Sequence, residues 1–390
     1  MHPYVRWIEI DLDAIIHNFC QIRQLVPPAV KIMSVVKADA YGHGSAQVAG
    51  ALAEAGTDMF AVTTIEEGLE LINSGIKNPI LVFAPILPDQ ADLVLEHGLM
   101  PTIDDREALH ALASAAAQKN VKGSFHLKIE TGMGRTGIPG LEVSQFLQEI
   151  KKLPQLQLAG VYSHFATAMM KDKSFAQKQL SIFLQAVREI KREVSGEVLA
   201  HIANSAAILD LPDTYLDMVR PGTLLYGQYP SPYVSKKIEL QDPWQMKGRI
   251  ISVKKLAPGD SVGYGRDYIT KKPREIGVVP VGYADGFGVL PHTRPAKFYD
   301  LVKSTAKLLS QVLGLIAPNY MIYGKERLPV VGRIGMQLSM IDITGKGIAR
   351  GETVQIPIRR TTAGGKITRV YLRDQKISAI REVAAVQTQK

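Results

Sequence analysis

A single cysteine, Cys20, stands in the whole chain, so no internal disulfide can staple the fold. It falls within a helical pattern, Leu12 to Leu25, among apolar neighbours, and is expected to pack. Long hydrophobic runs are also missing: no apolar stretch approaches a membrane span, which argues against a membrane partner. The start, Met-His-Pro-Tyr-Val-Arg, lacks the basic-then-apolar layout of a signal peptide, and cytoplasmic residence is the expectation. A basic stripe is lacking too. The formal charge is +9, but its densest groups, Lys271-Lys272-Pro-Arg274 and Arg359-Arg360, are short and not interleaved with aromatics, which argues against a nucleic-acid partner. The charge supports only a modest attraction for anionic cofactors or substrates.

What the chain does have is material for two cores. Its 390 residues, 46% hydrophobic and 21% charged, have ordinary globular composition and exceed one small domain. Up to about residue 230, short β-rich runs alternate with helical periodicity, the pattern of a parallel sheet covered by helices. Strands are expected at Trp7–Asp11, Lys31–Val36, Met59–Thr63, Pro79–Ala84, Met100–Ile103, Gly123–Ile129, Leu156–Tyr162, Glu197–Ile202 and Leu216–Val219. Helices are expected at Leu12–Leu25, Ser45–Ala55, Ile65–Ser74, Gln90–His97, Asp105–Asn120, Leu141–Lys152 and Lys173–Val194. With the first strand set aside as belonging elsewhere, eight remain, the number that closes a (β/α)8 barrel. The expected architecture is therefore α/β: a barrel over residues 1–230, with residues 1–11 open to joining a second domain over 231–390.

After Pro230-Ser-Pro232 the texture changes. Gly248–Lys254, Glu275–Gly282, Leu328–Ile334 and Leu338–Ile343 are short, β-branched and separated by glycine-rich turns, so the second domain should be mostly antiparallel β. A helical pattern at Leu301–Leu315 interrupts it, and the tail from Arg359 is polar, basic and ambiguous.

Chemistry in such barrels gathers where strands end. Those ends carry Lys37, Thr63, Lys128 with Glu130, Ser163 with His164, Asn204 with Ser205, and Arg220. Lys37 follows the apolar run Ile32–Val36 and precedes Ala-Asp-Ala-Tyr-Gly-His-Gly44. A lysine delivered to the rim of a core is desolvated, which favours free amine and makes it a candidate Schiff-base nucleophile. The same dipeptide Val-Lys also describes a lysine that merely snorkels. Asn204-Ser-Ala-Ala and Arg220-Pro-Gly-Thr223 offer N–H groups and hydroxyls suited to a phosphate, although Asn204 reads equally well as a helix cap.

The block Val36-Lys-Ala-Asp-Ala-Tyr-Gly-His-Gly44 resembles the cofactor signature of alanine racemases, and the likeness runs from about residue 5 to about residue 340. The resemblance implies pyridoxal 5'-phosphate as cofactor, a small amino acid as substrate and interconversion of L- and D-alanine. Lys37 would hold the cofactor and act as base on one face of Cα; Tyr264, in Val-Gly-Tyr-Gly-Arg266, would act on the other. Tyr41, Ser205, Gly222 and Thr223, beside Asn204, would contact the phosphate. His164 would stack on the ring and Arg220 would hydrogen-bond its nitrogen. Arginine keeps its proton, so the ring nitrogen stays neutral and return of a proton to Cα is favoured over side reactions. Arg135 would orient the tyrosine and reach the substrate carboxylate, and Lys128 matches a lysine that is carbamylated in many relatives. A phenol of pKa ~10 is a poor base unless cations favour phenolate, a role open to Arg135. Tyr264, the backbone of Met336 and the entrance residues Tyr283 and Arg333 would come from the partner in a homodimer with shared sites. No metal is implied.

The resemblance has gaps. Gly335-Met-Gln-Leu338 replaces the usual Cys-Met-Asp-Gln, removing a carboxylate; Leu301–Leu315 resembles an insertion; and the usual C-terminal Asn-Tyr-Glu block is missing, Tyr371 being a poor substitute. A broader racemase, a fold-related decarboxylase and a non-catalytic cofactor carrier are the alternatives. Decarboxylases place an acid at the ring nitrogen and a cysteine in the second domain, and single-barrel carriers lack that domain.

Overall fold

The computed structural model describes residues 2–289, 319–360 and 363–382, with 302, 304–306, 309 and 310 between them. The chain divides into two compact units, one of residues 12–243 and one of residues 2–11 together with the described residues from 244 onward.

The first unit begins with α1 (Leu12–Leu25) and continues as β2 (Lys31–Val35), α2 (Ser45–Glu54), β3 (Met59–Val62), α3 (Ile65–Asn73), β4 (Ile80–Pro85), α4 (Ala91–Glu96), β5 (Met100–Ile103), α5 (Arg106–Lys119) and β6 (Gly123–Glu130). It completes the round with α6 (Val143–Ile150), β7 (Leu156–Tyr162), α7 (Ser174–Glu193), β8 (Leu199–His201), α8 (Ser205–Asp210) and β9 (Met218–Val219). The strands are parallel in the order β9-β2-β3-β4-β5-β6-β7-β8, and a parallel bridge from Asn204 to Arg220 brings the two ends together. This is a nearly closed (β/α)8 barrel. Its strands are buried on both faces, as β3 shows with four successive buried residues, because helices cover the outside and side chains fill the inside. Met33, Val35, Met59, Ala61, Leu81, Tyr162 and Met218 form that filling.

The helices turn one apolar stripe inward. α6 buries Val143, Phe146, Leu147 and Ile150, the spacing of one helical face. On α1 the buried face is Leu12, Ala14, Ile15, Asn18, Phe19 and Ile22, which leaves Cys20 on the opposite side. Cys20 is exposed rather than packed: apolar neighbours in sequence lie at 100° intervals around a helix, and position 20 misses the stripe.

In the second unit β1 (Arg6–Asp11) joins a seven-stranded sheet with β10 (Trp244–Arg249), β13 (Tyr320–Tyr323), β14 (Glu326–Pro329), β16 (Thr353–Gln355), β17 (Arg369–Arg373) and β18 (Lys376–Arg381). β11 (Ser252–Leu256), β12 (Arg274–Val279) and β15 (Ser339–Asp342) form a second sheet, antiparallel throughout. Pairing in the larger sheet is antiparallel except between β1 and β17, so the domain is mostly antiparallel β.

Some boundaries differ from those expected. The run Gly248–Lys254 is two strands parted at Ile250 and Ile251, and the strand expected over Leu328–Ile334 ends at Pro329, where the chain turns into the loop that carries Arg333 and Met336. The ambiguous tail contains the hairpin β17-β18, whose turn residues Asp374 and Gln375 have φ of 48° and 58°, the left-handed conformation a two-residue hairpin demands. The helix expected at Leu301–Leu315 falls largely outside the described residues. Among the described residues no helix is long and apolar enough to cross a membrane, and no group of three metal-ligating side chains converges.

Candidate active site

One end of the barrel opens into a cavity of about 490 Å³. Residues at the ends of β2, β3, β4, β6, β7, β8 and β9 meet there because parallel strands all end on the same rim. Lys37, Tyr41, Thr63, Lys128, Arg135, His164, Asn204, Ser205, Arg220, Gly222 and Thr223 all line it. Among the described residues, Lys37, Lys128, Arg135 and Arg220 place four cations on its wall, and no carboxylate lines it.

Lys37 enters on an unusual backbone. Ala38, Asp39, Ala40 and Tyr41 have φ between 51° and 55°, one turn of left-handed helix built without glycine. Each such residue costs about 1 kcal/mol, so the turn needs external support. It receives it from two acids. Asp39 Oδ1 accepts from the Ser45 N–H at 3.0 Å, and Glu67 Oε1 accepts from the Ala38 N–H at 2.6 Å. The turn ends at Gly42, φ 87°. Burial, then the charge of Arg135, holds the Lys37 amine below its ordinary pKa, while Glu67 pulls the other way.

The turn also presents Tyr41. Its ring lies 4.8 Å from that of Tyr226, and burial pushes its phenol up to about 12, so it is a hydrogen-bond donor at neutral pH. A Cβ on Gly222 would lie 2.6 Å from the Tyr41 hydroxyl and would push that ring aside, so glycine is what lets the hydroxyl lie against the backbone there. Next to it, Ser205 Oγ accepts from the Gly222 N–H at 2.9 Å. Asn204 caps α8, its Oδ1 accepting from the N–H groups of Ala206 and Ala207 at 3.1 and 3.2 Å. The Thr223 hydroxyl is buried and has no hydrogen-bond partner among the described residues.

Arg220 is 3% exposed and has no acid partner among the described residues. Its Nη1 donates to His201 Nδ1 at 2.8 Å, and its Nη2 to the carbonyls of Ser163 and Ile202 at 2.7 and 3.2 Å. A guanidinium only donates, so His201 Nδ1 must accept and its Nε2 carries the proton. That nitrogen lies 2.9 Å from His126 Nδ1, which accepts in turn. Both imidazoles are neutral: burial and then Arg220 push His126 down to about 3 and His201 well below its ordinary value. Burial also lowers Arg220 itself to about 10, still protonated at neutral pH. Tyr162 completes the setting, stacked on His201 at 5.1 Å and facing the Arg220 guanidinium at 5.4 Å. His164 is pushed down to about 3 by burial and the surrounding cations. It therefore offers an uncharged ring.

Lys128 is 5% exposed, donates to Thr136 Oγ1 and is pushed down to about 8 by burial, Arg135 and Arg220. Arg135 sits at the end of a loop wrapped around Glu130, whose carboxylate accepts from the N–H groups of Gly132, Met133, Gly134 and Arg135. Those bonds hold Glu130 below the usual carboxylate range although burial opposes them.

The remaining candidates lie in the β unit. Tyr264 stands in the turn Gly263–Arg266 and is 76% exposed. Arg333 forms an ion pair with Asp267 beside that turn, Nη2 lying 3.3 Å from Oδ1. Tyr283 and Met336 are joined through backbone: the Tyr283 N–H meets the Gly335 carbonyl at 3.1 Å and the Ala284 N–H meets the Met336 carbonyl at 3.0 Å. A Cβ on Gly282 would lie 2.1 Å from the Gly335 oxygen, so glycine is required there. Tyr371 lies fully buried in β17.

Sequence reading missed Tyr162, His126, His201 and Glu67. The first three are polar side chains inside strands that are otherwise buried, and that pattern was their available signal; Glu67 looked like an ordinary first-turn acid of α3.

The cavity suits pyridoxal phosphate: a phosphate and a carboxylate would meet four cations, the unpartnered Thr223 hydroxyl and the close backbone at Gly222, and an aldehyde would meet an amine held below its usual pKa. Comparison with known proteins agrees. Residues 10–230 match the alanine racemase N-terminal domain and residues 244–368 the alanine racemase C-terminal domain. The chain is 39% identical over 351 residues to alanine racemase 2 of Caldanaerobacter subterraneus subsp. tengcongensis, spanning 90% of this chain and 84% of that one. It is 35% identical over 358 residues to the alanine racemase of Methanococcus maripaludis, 91% and 89% of the two chains. The alanine racemase of Clostridium difficile superposes with a TM-score of 0.86 at 30% identity, covering 98% of this chain and 99% of that one. That of Bacillus anthracis with bound L-Ala-P gives 0.82 at 28% identity. With both halves matched in order and a barrel rim fitted to the cofactor of that enzyme class, the chain belongs to the alanine racemase family.

Proposed function

We propose that this chain interconverts L- and D-alanine, with pyridoxal phosphate held at Lys37 and the Cα proton exchanged between Lys37 and Tyr264. The observation that carries the reading is a low-pKa amine sharing one cavity with a buried, acid-free arginine. Bound there, pyridoxal phosphate supplies an electron-withdrawing ring that acidifies the substrate Cα–H. Ser205, Gly222, Thr223 and Tyr41, with Asn204 holding the helix start, would take the phosphate; His164 would stack on the ring face.

Arg220 would donate to the ring nitrogen. Its His201 and carbonyl bonds leave the Nε–H and one Nη1–H for the cavity. Because the neutral His201–His126 pair can accept that contact without supplying a proton, the arginine donates a hydrogen bond and keeps its own proton. Arg135 would orient the substrate carboxylate together with the Met336 N–H. Lys37 exchanges the proton at one face of Cα and the Tyr264 oxygen at the other. One amine cannot reach both faces, so racemisation needs the pair.

We place Tyr264, Tyr283, Arg333 and Met336 in trans, in a homodimer whose two sites are shared. The exposure of Tyr264 at 76% and Met336 at 59% supports a surface that a second copy would cover. Gln337, in place of a carboxylate, favours a wider choice of amino acid, and a panel of amino acids would reveal it.

Purified protein incubated with L-alanine in deuterated water should lose optical rotation and acquire Cα deuterium in both enantiomers. Neither signal appearing with cofactor present overturns the reading. Borohydride reduction should leave the cofactor attached to the peptide containing Lys37.

A further inference from the structure

The left-handed turn at Ala38–Tyr41 orients both Lys37 and Tyr41, yet it consists of residues that disfavour that conformation. Part of its support is internal. Asp39 accepts from Ser45, the Ala40 N–H reaches the Val36 carbonyl at 2.8 Å, and the Gly42 N–H closes on Ala38 and Asp39. The first N–H of the turn, that of Ala38, is held from another element. Its acceptor is Glu67, in the first turn of α3, whose second oxygen accepts from Thr63 at 2.7 Å and Thr64 at 3.3 Å. One carboxylate therefore ties the end of β3 to the residue after Lys37.

Resting on the racemase reading, we infer that Glu67 is a positioning residue: it latches the left-handed turn so that the Lys37 amine faces the cavity, and its negative charge faces that amine across the rim. A helix cap alone does not require this arrangement. Glu67 does form a capping box with Thr64, but a cap is complete with the Thr64 contacts and has no use for the Ala38 bond. The charged groups that face the amine are Glu67 and Arg135, and Lys128, Arg220, Tyr41 and His164 share its cavity. Glu67 is the anion in that set. Its removal should leave the cations unopposed and favour the neutral amine.

Two variants separate the latch from the cap. T64A breaks the capping box and leaves the Ala38 bond; E67Q removes the charge and, because its amide opposes one of the N–H groups, half of the acceptors. The readout is the reactivity of Lys37 in the full chain freed of cofactor, trace-labelled with acetic anhydride across pH and quantified by peptide mass. In E67Q the labelling midpoint of Lys37 should fall by about one pH unit, about tenfold more free amine at a fixed pH below it, and reloaded pyridoxal phosphate should dissociate about tenfold faster. T64A should lower the melting temperature and leave both values at those of the wild type. An unchanged midpoint in E67Q, or an equal shift in T64A, overturns the inference. Should E67Q fail to fold, E67D, which retracts the carboxylate by one methylene, is read instead: a smaller shift in the same direction supports the latch, and none overturns it. Wild-type protein that captures no cofactor at Lys37 would instead defeat the racemase reading, and the two failures remain distinct.

Discussion

The barrel rim and the Tyr264 turn carry the two halves of the proposed chemistry under opposite conditions. At the rim, Arg220 and Lys128 are 3% and 5% exposed, and each donates to fixed partners, Arg220 to His201 and two carbonyls and Lys128 to Thr136. At the turn, Tyr264 is 76% exposed and Gly263, Gly265 and Arg266 all have positive φ. The difference teaches that an anion site can be organised within one unit, because it needs fixed donors held out of water, whereas a phenol on an exposed, glycine-flanked turn needs cations from another surface to favour its phenolate.

The largest test of that contrast is Tyr264→Phe. Removing one of the two proposed proton-transfer groups should slow racemisation about 10²–10⁴-fold. Cofactor absorbance should persist, and Cα exchange should survive from one enantiomer, as measured by proton NMR in deuterated water. Equal loss of exchange from both enantiomers would contradict the division of labour between rim and turn.

Lys128→Gln probes the cost of crowding cations at the rim. Folding holds the Lys128 ammonium at about 8, below its value in an unfolded chain, so the unfolded state binds more protons between those two values. The penalty is complete below about pH 8 and fades as pH rises toward ~10.4. That difference is worth ~3 kcal/mol in full, and water in the open cavity screens part of it, so the substitution should stabilise the cofactor-free chain by about 2 kcal/mol at pH 7, and the gain should vanish near pH 10. Urea unfolding in buffers purged of carbon dioxide checks it, since a carbamate at that amine would replace the buried cation by an anion facing Arg135.

The smallest expected effect belongs to Glu130→Gln. Its carboxylate collects the N–H groups of Gly132 through Arg135, and an amide can serve only part of them. Loosening the loop should raise KM for alanine about tenfold, with kcat little changed, since charge-assisted hydrogen bonds of this kind are worth ~1.4 kcal/mol and more. Steady-state kinetics in both directions would show it. A fall in kcat at constant KM would mean that Arg135 acts on the proton-transfer step.

The barrel was legible because its signal is local. Apolar runs such as Ile32–Val36 and Met218–Val219 are followed at once by a charged residue, Lys37 and Arg220, and alternation with helical periodicity leaves few other arrangements for eight parallel strands. Lys37, Arg220 and their neighbours could be read from strand ends and from contiguous blocks. The β unit was less legible: Tyr320–Tyr323 and Thr353–Gln355 are three or four residues long, and the pairing of the first with the second, and of the second with β10, spans distances along the chain that no local pattern records. Cys20 was misplaced for a related reason, since neighbours in sequence are not neighbours around a helix.

By itself, then, the sequence determined which groups stand at the strand ends, because side-chain period and chain direction are local properties. Tertiary structure alone decided how those groups are charged and aimed. The neutral state of His201 and His126 follows from their burial, then from the charge of Arg220, whose donor-only guanidinium sets their tautomers, and the support of the Lys37 turn by Glu67 follows from two adjacent strands ending at one height. Burial and hydrogen-bond direction are properties of the assembled barrel, and they exist only once strands distant in sequence have closed around the same cavity.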